Sequence, residues 1–248
     1  MVRLLDLCTG TGCISLLFRH EFSKLGLRSK SGLECVGVDI SRHAVSLANR
    51  NLQKQMLDQP DTMTGGSTDF VLSTVFPSDR DVDVPYTLDA LEQRNNATKD
   101  NNHWDIVISN PPYISPEEYK RTTARSVRNY EPKIALVPAH EQGSSSVDPG
   151  DTFYPALIRM AEKVKASVLL FEVGDAEQAI RVANMLNAAN RWRRIEIWRD
   201  QPTSSGDIDH ALTCRDDGMY VRGRGKMRSV FACADSVAER LEMTEDLH

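Results

Sequence analysis

Short apolar runs alternate with longer amphipathic segments along most of the chain, and this alternation constrains the fold more than any other feature. Strands buried on both faces of a parallel sheet are continuous apolar runs, whereas connecting helices place apolar residues three or four positions apart. The alternation therefore predicts an α/β fold with a mostly parallel sheet. The predicted strands are Val2–Leu7, Glu34–Asp39, Asp69–Phe76, Trp104–Ser109 and Ser167–Val173.

Helices are predicted between and after these strands. Ser41 and Asp175 are typical N-cap residues, and each precedes a segment with helical spacing. Arg193–Trp198 alternates charged and apolar side chains, which predicts a half-exposed strand near the sheet edge with Met227–Cys233 as its antiparallel partner. The predicted helices are Cys13–Leu25, Ser41–Lys54, Thr152–Lys165 and Asp175–Ala189.

The 248 residues are interpreted as one domain, residues 1–233, followed by a C-terminal extension, residues 234–248. Three polar stretches interrupt the pattern and are expected to be surface insertions without regular structure. They lie at about residues 55–67, 77–102 and 201–225. The first predicted strand begins directly after Met1, so we expect an incomplete N-terminus.

Composition narrows the classes of function. The formal net charge of −5 and the pI of about 5.7 differ from the basic footprint of duplex-binding proteins, so no stable nucleic-acid partner is expected. No run approaches the roughly 18 apolar residues of a membrane span. The cysteines are odd in number and lack a C-x-x-C pair, which predicts a reducing compartment and no metal site. Cys8 and Cys13 are predicted to be small buried thiols.

The turn after the first predicted strand is rich in glycine and contains an acid. Glycine lets a backbone approach a ligand closely, and the following helix presents free N–H groups at its N-terminus. The acid would repel a pyrophosphate but suits a ligand with a cationic amino-acid end. The third glycine of the dinucleotide-binding motif is missing, which also argues against a dinucleotide as the ligand. An ordinary tight turn is the alternative. The candidate binding residues are Asp6, Cys8, Thr9, Gly10, Thr11 and Gly12.

Asp39 ends the second predicted strand, a position from which a carboxylate can accept both hydroxyls of a ribose. The alternative is a helix-capping role before Ser41. Together with the glycine turn, Asp39 favours an adenosine that is attached to something other than a diphosphate. S-adenosylmethionine meets this description.

The segment Asn110-Pro111-Pro112-Tyr113 directly follows an apolar strand and carries the clearest chemical signal. Two prolines fix the backbone and supply no N–H, so the Asn110 amide and a proline carbonyl are two positioned acceptors for a planar NH2 group. Tyr113 offers an aromatic face to a flat amide or base. Orienting such a weak nucleophile toward a sulfonium methyl group is what a site of this kind can contribute.

At this point the sequence resembles the HemK/PrmC protein-glutamine N5-methyltransferases. The resemblance rests on an ordered set of motifs between about residues 2 and 200. Asn-Pro-Pro-Tyr is also found in adenine-N6 DNA methyltransferases, whereas the Tyr-Glu-Pro and Phe-Glu-Val-Gly motifs narrow the resemblance to the glutamine enzymes. The motifs are Asp6-Leu-Cys-Thr-Gly-Thr-Gly12, Val38-Asp39, Ser109-Asn-Pro-Pro-Tyr-Ile114, Tyr130-Glu-Pro132, Ala135-Leu-Val137, Gly150-Asp-Thr-Phe-Tyr154 and Leu170-Phe-Glu-Val-Gly174.

The resemblance implies a class I S-adenosylmethionine-dependent methyltransferase with a seven-stranded, mostly parallel, Rossmann-like sheet whose last strand is antiparallel. It implies N5-methylation of the glutamine in the Gly-Gly-Gln motif of a class-I peptide release factor. The type is closer to the bacterial and mitochondrial branch, so a mitochondrial or cytoplasmic location is expected. Asn110, Pro111, Pro112 and Tyr113 are the implied catalytic residues, and Asn110 is also expected to lie beside the cofactor.

The sequence also departs from the family pattern. The usual N-terminal helical domain and the Pro-Arg-rich stretch before the first strand are missing, and the third strand ends without the acid that often contacts adenine. Phe76 is the candidate in its place, and Glu172 is a further residue expected near the pocket. Two alternatives to glutamine methylation stay open, namely an adenine-N6 nucleic-acid methyltransferase and a truncated protein that binds cofactor without activity.

Overall fold

A computed structural model describes residues 1–25, 32–58, 66–79, 83–98, 103–138, 148–202 and 219–245. These residues group into two compact units, the first comprising Met1–Ser109 and Met160–Ala166, and the second Asn110–Arg159 and Ser167–His248. Eight strands and eight α-helices lie within the described ranges. The predicted α/β class is therefore confirmed. Within the same ranges, no helix is long and apolar enough to cross a membrane.

The first unit is built on four parallel strands in the order β3-β2-β1-β4. Apolar side chains of α1 pack against β1 and β2 around Leu4 and Cys35. Phe70 packs on the other side of α1, against α2. The elements are β1 (Val2–Leu7), α1 (Cys13–Lys24), β2 (Leu33–Asp39), α2 (Arg42–Asp58), β3 (Gly66–Leu72), α3 (Thr87–Thr98) and β4 (Ile106–Ser109).

The second unit contains a mixed set of strands in the order β5-β8-β6-β7. Strand β8 is antiparallel to both β5 and β6, which confirms the predicted antiparallel last strand. Strand β7 pairs with β6 and raises the strand number above the predicted seven. The elements are α4 (Pro116–Arg121), α5 (Arg125–Tyr130), β5 (Val168–Glu172), α7 (Ala176–Ala188), β6 (Arg194–Gln201), β7 (Met219–Arg222), β8 (Arg224–Cys233) and α8 (Asp235–Glu245), and α6 (Tyr154–Lys163) runs from the second unit into the first.

The polar stretch at residues 77–102 is not the unstructured insertion that its composition predicts, because it contains α3. Arg94 on this helix bonds Asp69 at 2.7 Å and the buried Glu34 at 3.3 Å, and Leu91 is buried. These long-range ion pairs hold a polar helix against the sheet. The other two expected insertions, 55–67 and 201–225, lie partly outside the described residues.

Two strands also differ from their predicted form. Strand β3 ends at Leu72, the register partner of Asp39, so the predicted extension to Phe76 is wrong. Strand β6 lies between β8 and β7, and its first four residues are buried instead of half-exposed. Glu196 makes that burial possible, because it accepts hydrogen bonds from Arg194, Trp198 and Arg222.

Candidate functional site

The glycine turn of the first unit is built around the fully buried Asp6. The Asp6 Oδ2 accepts hydrogen bonds from the Thr9 hydroxyl at 2.7 Å and the Ser15 hydroxyl at 2.8 Å. Its Oδ1 has no hydrogen-bond partner within the described part of the chain. Burial raises the pKa of this carboxyl from an ordinary 3.8 to about 6, with Asp39 adding a smaller effect in the same direction. Asp6 therefore supports the turn from inside the unit.

The backbone of the turn takes left-handed conformations at Cys8, Gly10 and Gly12, with φ of 61°, 56° and 78°. A Cβ on Gly12 would lie 2.6 Å from the Phe70 ring, so only glycine fits there. A Cβ on Gly10 would meet no atom within 4 Å, which leaves open space in front of its backbone. The turn is thus closely packed at Gly12 and open at Gly10. At Cys8, the left-handed backbone costs a non-glycine residue about 1 to 2 kcal/mol.

Asp39 is held at the end of β2 by two backbone donors. Its Oδ2 accepts from the Gly10 N–H at 2.9 Å, and its Oδ1 accepts from the Ser41 N–H at 2.8 Å. Each carboxylate oxygen can accept two hydrogen bonds, so each retains a lone pair for a ligand. The structure thus brings the glycine turn and Asp39 together. The carboxylate also accepts from the backbone N–H before α2, as the capping alternative expects, whereas its contact with a ribose stays a prediction.

The chain leaves β1 after Leu7 and β4 after Ser109, and these two residues are register partners within the first unit. The buried Ser109 hydroxyl donates to the Leu7 carbonyl at 2.7 Å. The next residue along the chain is Asn110, whose side chain is exposed, whereas Pro111 and Pro112 are buried. Two buried prolines followed by a hydrogen-bonded tyrosine therefore hold the backbone that presents an exposed amide.

Tyr113 is half-buried and fixed at both its ring and its backbone. Its hydroxyl donates to Glu172 Oε1 at 3.1 Å, and its carbonyl accepts from Gln178 Nε2 at 3.2 Å. Burial, together with the Glu172 carboxylate, raises the pKa of Tyr113 to about 12. The hydroxyl therefore stays protonated and acts as a hydrogen-bond donor. The Tyr154 hydroxyl donates to the Glu172 backbone carbonyl at 2.9 Å and supports this strand end.

Sequence reasoning singled out Glu172 without finding its partner. It named Asp151 only within the Gly150–Tyr154 motif, with no role, and it missed Gln178. Gln178 Nε2 also donates to Asp151 Oδ1 at 2.9 Å, and Arg181 pairs with the same carboxylate. A local signal existed, since Asp175-Ala-Glu-Gln178 has the spacing of a capping box, in which the fourth side chain folds back toward the helix start. The motif predicts the fold-back but not the contact with Tyr113.

The remaining candidates from the sequence are Phe76 and the two cysteines of the glycine turn. Phe76 is only 7% exposed, so little of its ring is open to a ligand. Cys13 is exposed, which corrects its prediction as a buried thiol, and Cys8 is partly exposed. Desolvation and the nearby Asp39 raise the pKa of the Cys8 thiol well above its ordinary value, so it remains protonated. No group of three or more His, Cys, Asp or Glu suited to a metal occurs in the described ranges.

Residues 34–136 match the family model of the Eco57I restriction-modification methylases. Among solved structures, the chain is similar to the hMettl16 catalytic domain in complex with an RNA hairpin, with a TM-score of 0.47 and 13% identity, over 94% of this chain and 63% of that chain. This structural likeness is too low to carry an argument about fold or function.

Curated relatives are more informative. A fission-yeast protein named probable MRF1 mitochondrial N(5)-glutamine methyltransferase mtq1 is 28% identical over 79% of this chain and 55% of its own length. A Fusobacterium nucleatum release factor glutamine methyltransferase is 30% identical over 75% of this chain and 41% of its own length. A Francisella tularensis ribosomal protein uL3 glutamine methyltransferase is 27% identical over 71% of this chain and 43% of its own length.

The chain spans about half the length of the curated relatives it matches. Between 71% and 79% of this chain is aligned with them. Their names share one chemistry, methyl transfer to glutamine. The chain is therefore an α/β protein that is similar to curated protein-glutamine methyltransferases.

Proposed function

We propose that this chain transfers the methyl group of S-adenosylmethionine to the side-chain nitrogen of the glutamine in the Gly-Gly-Gln motif of a class-I peptide release factor. The observation that carries the proposal is the exposed amide of Asn110 next to two buried prolines, with Tyr113 fixed by Glu172. The names of the relatives support glutamine as the acceptor. The name of the fission-yeast relative, which includes the word mitochondrial, supports a mitochondrial location, with the cytoplasm as the alternative.

The cofactor proposal rests on the glycine turn and Asp39. Gly10 has open space in front of its backbone, and each Asp39 oxygen retains a lone pair that suits a ribose hydroxyl. The buried Asp6 contributes negative potential beneath the turn, which favours the cationic end of the ligand. The proposed binding residues are Asp6, Cys8, Thr9, Gly10, Thr11, Gly12 and Asp39, together with Asn110. When bound, the cofactor supplies an electrophilic methyl group on a sulfonium.

The chain's own contribution to the reaction is orientation. We assign the grip on the glutamine NH2 to the Asn110 side-chain oxygen and to the carbonyl of Pro111 or Pro112, and the contact with the amide plane to Tyr113. Holding both hydrogens of the NH2 group restricts a weak nucleophile to one direction of attack, and such positioning can lower a barrier by several kcal/mol. Formation of the new N–C bond would be accompanied by cleavage of the S–CH3 bond of the sulfonium, which leaves as a thioether. The methylated nitrogen is then acidic and would lose one proton to water.

No strong base is needed for that proton. Tyr113, with its pKa raised to about 12 and its hydroxyl bonded to Glu172, is a donor in this arrangement and does not remove protons. General-base catalysis contributes most when the acceptor nitrogen must be deprotonated before attack, which is not the case for an amide that is alkylated first. The proposal therefore assigns catalysis to Asn110 and the proline carbonyls.

The test is tritiated methyl transfer to a purified class-I release factor and to its Gly-Gly-Ala variant, at saturating cofactor. We expect label in the release factor and none above background in the variant. Equal labelling of the two proteins would overturn the glutamine assignment, and the absence of label in both would overturn the substrate.

A second function, adenine-N6 methylation of nucleic acid, is favoured by the match of residues 34–136 to the Eco57I methylases and by the shared Asn-Pro-Pro-Tyr segment. The acceptor would again be a planar NH2 group. The net charge of −5 opposes it, because nucleic-acid binding draws on cationic surface. Adding DNA and RNA to the same assay separates the two, since label in nucleic acid without a release factor would establish the second function.

A further inference from the structure

The backbone that presents Asn110 and Tyr113 has few hydrogen bonds of its own. Pro111 and Pro112 have no N–H to donate, so this segment cannot be fixed by the backbone ladder that fixes a strand. The Ile114 N–H that follows donates to the Leu136 carbonyl at 2.9 Å, so a contact at Tyr113 itself must come from another part of the unit. The Tyr113 carbonyl receives such a contact from the side chain of Gln178 at 3.2 Å.

The Gln178 amide has a partner at each of its polar atoms. Its Nε2 donates to the Tyr113 carbonyl and to Asp151 Oδ1, at 3.2 Å and 2.9 Å, and its Oε1 accepts from the Gly174 N–H at 2.8 Å. If the amide were flipped, its oxygen would face the Asp151 carboxylate and the Tyr113 carbonyl, and its NH2 group would face the Gly174 N–H, so no hydrogen bond would form. Only one orientation satisfies all three partners.

The residues around the Gln178 side chain are buried and closely packed. Gln178 is 4% exposed and Asp151 is 0% exposed, so neither can touch a protein substrate at the surface. A Cβ on Gly150 would lie 2.6 Å from the Tyr113 carbonyl oxygen, and one on Gly174 would lie 3.2 Å from the Tyr113 ring. Gly150 thus lies close against the Tyr113 carbonyl and Gly174 against its ring, and the carbonyl is bonded through one buried amide.

A helix-capping role alone does not account for these contacts. Asp175 caps α7 by accepting from the Gln178 backbone N–H at 2.8 Å. A capping-box side chain at this position would bond back to the N-cap residue, whereas the Gln178 side chain bonds the preceding Gly174 and reaches across to Tyr113.

We propose that Gln178 is a positioning residue for methyl transfer, fixing the Tyr113 carbonyl and with it the backbone that presents the Asn110 amide. This inference rests on the proposed function. Because Gln178 does not touch the reacting groups, its loss should lower the rate of the bound complex and leave cofactor binding intact. Small displacements of a catalytic group cost about a hundredfold in rate when geometry is the main contribution.

The first test replaces the amide with an apolar side chain of similar length. For Gln178→Met we expect kcat to fall by about ten- to a hundredfold, with KM for the release factor and the cofactor Kd changing far less. Gln55→Met is the matched control, because the Gln55 amide likewise donates to a backbone carbonyl, that of Leu16 at 3.0 Å. The control should keep kcat within about twofold. An unchanged kcat in Gln178→Met would overturn the proposal.

The second test separates positioning from packing. In Gln178→Glu, the new carboxylate can still accept from Gly174 but cannot donate to Tyr113, and it faces Asp151. Adding Asp151→Asn supplies a donor to that carboxylate and should recover the melting temperature without recovering kcat, because the bond to Tyr113 is still missing. The Asp151→Asn single variant is the reference. Recovery of kcat together with the melting temperature would reduce Gln178 to a structural role.

Amide hydrogen exchange tests this inference without any enzymatic activity, so its failure can be told apart from failure of the proposed function. Hydrogen exchange of the amides in residues 110–115 should accelerate by about tenfold or more in Gln178→Met and stay unchanged in Gln55→Met. If the wild-type protein labels no substrate, the proposed function fails, and exchange alone decides whether Gln178 fixes the segment. Exchange equal to wild type in Gln178→Met would then overturn the inference.

Discussion

Asp6→Asn is expected to stabilise the first unit in a pH-dependent way. The side chain is fully buried, its Oδ1 lacks a hydrogen-bond partner within the described ranges, and its pKa is raised to about 6 from 3.8. Asparagine retains one carbonyl oxygen for the hydroxyls of Thr9 and Ser15 and removes the charge. The stabilisation therefore comes from eliminating the cost of burying an ionised carboxylate.

The sign and size follow from proton linkage. Because the native pKa is higher than that of the unfolded chain, the native state holds the proton more tightly, and the free energy of unfolding falls as the pH rises from about 4 to about 6. A shift of about two pKa units corresponds to about 3 kcal/mol. Asp6→Asn should thus gain about 2 to 3 kcal/mol over the wild type between about pH 4 and about pH 8.

Urea unfolding at the two pH values, followed by circular dichroism, measures this difference. Comparing each variant with the wild type at both pH values cancels any pH-independent effect of the buried NH2 group. Asp58→Asn, an exposed carboxylate at the end of α2, is the control and should show the same change at both pH values. A stability difference for Asp6→Asn that does not grow with pH would refute the reasoning.

Further predictions concern the two proposed binding elements and one buried ion cluster. Asn110→Ala should lower methyl transfer at saturating cofactor by about a hundredfold or more, with a much smaller change in the cofactor Kd by calorimetry. Asp39→Ala should do the reverse, weakening cofactor binding in the same titration with a milder loss of rate at saturation. Burial acts to raise the pKa of Glu196, but hydrogen bonds from Arg222 and Trp198 outweigh it and the pKa is lowered. Glu196→Gln should therefore destabilise the protein at neutral pH in urea unfolding, and the difference from the wild type should shrink as acid protonates the carboxyl.

Much of the fold is predictable from sequence because the apolar runs that mark the strands, and the capping residues that begin the helices, are local features. Val2–Leu7 forms β1 with the predicted bounds, since a short segment with four apolar residues among six is recognised without distant information. Asp175 caps α7 as predicted, through its bond to the Gln178 N–H. Local signals of this kind depend only on residues that are neighbours in the chain.

Features that depend on distant partners were missed. Helix α3 is polar in sequence, and it is held by Arg94 through Asp69 and the buried Glu34, which lie 25 and 60 positions away in the chain. The end of β3 at Leu72 reflects the length of its partner β2, which ends at Asp39. Neither contact has a counterpart in local spacing or composition.

The candidate site likewise combines contiguous motifs, which the sequence reveals, with contacts between distant residues, which it does not. The glycine turn and the Asn110-Pro-Pro-Tyr segment were visible because each motif is contiguous. The burial of Asp6 and the bonds that Gln178 makes to Tyr113 and Asp151 were not, because they join residues that are far apart in the chain or depend on packing. The residues that touch a ligand are thus easier to predict than the residues that hold them in place.

The most direct test of the central claim locates the transferred methyl group. A class-I release factor is incubated with the protein and S-adenosylmethionine carrying an isotopically labelled methyl group, and its peptides are sequenced by tandem mass spectrometry. Asn110→Ala serves as the control enzyme. The account predicts a single labelled methyl group on the glutamine of Gly-Gly-Gln, formed by the wild-type protein and nearly absent with Asn110→Ala. Label on any other residue, or equal labelling by Asn110→Ala, would contradict it.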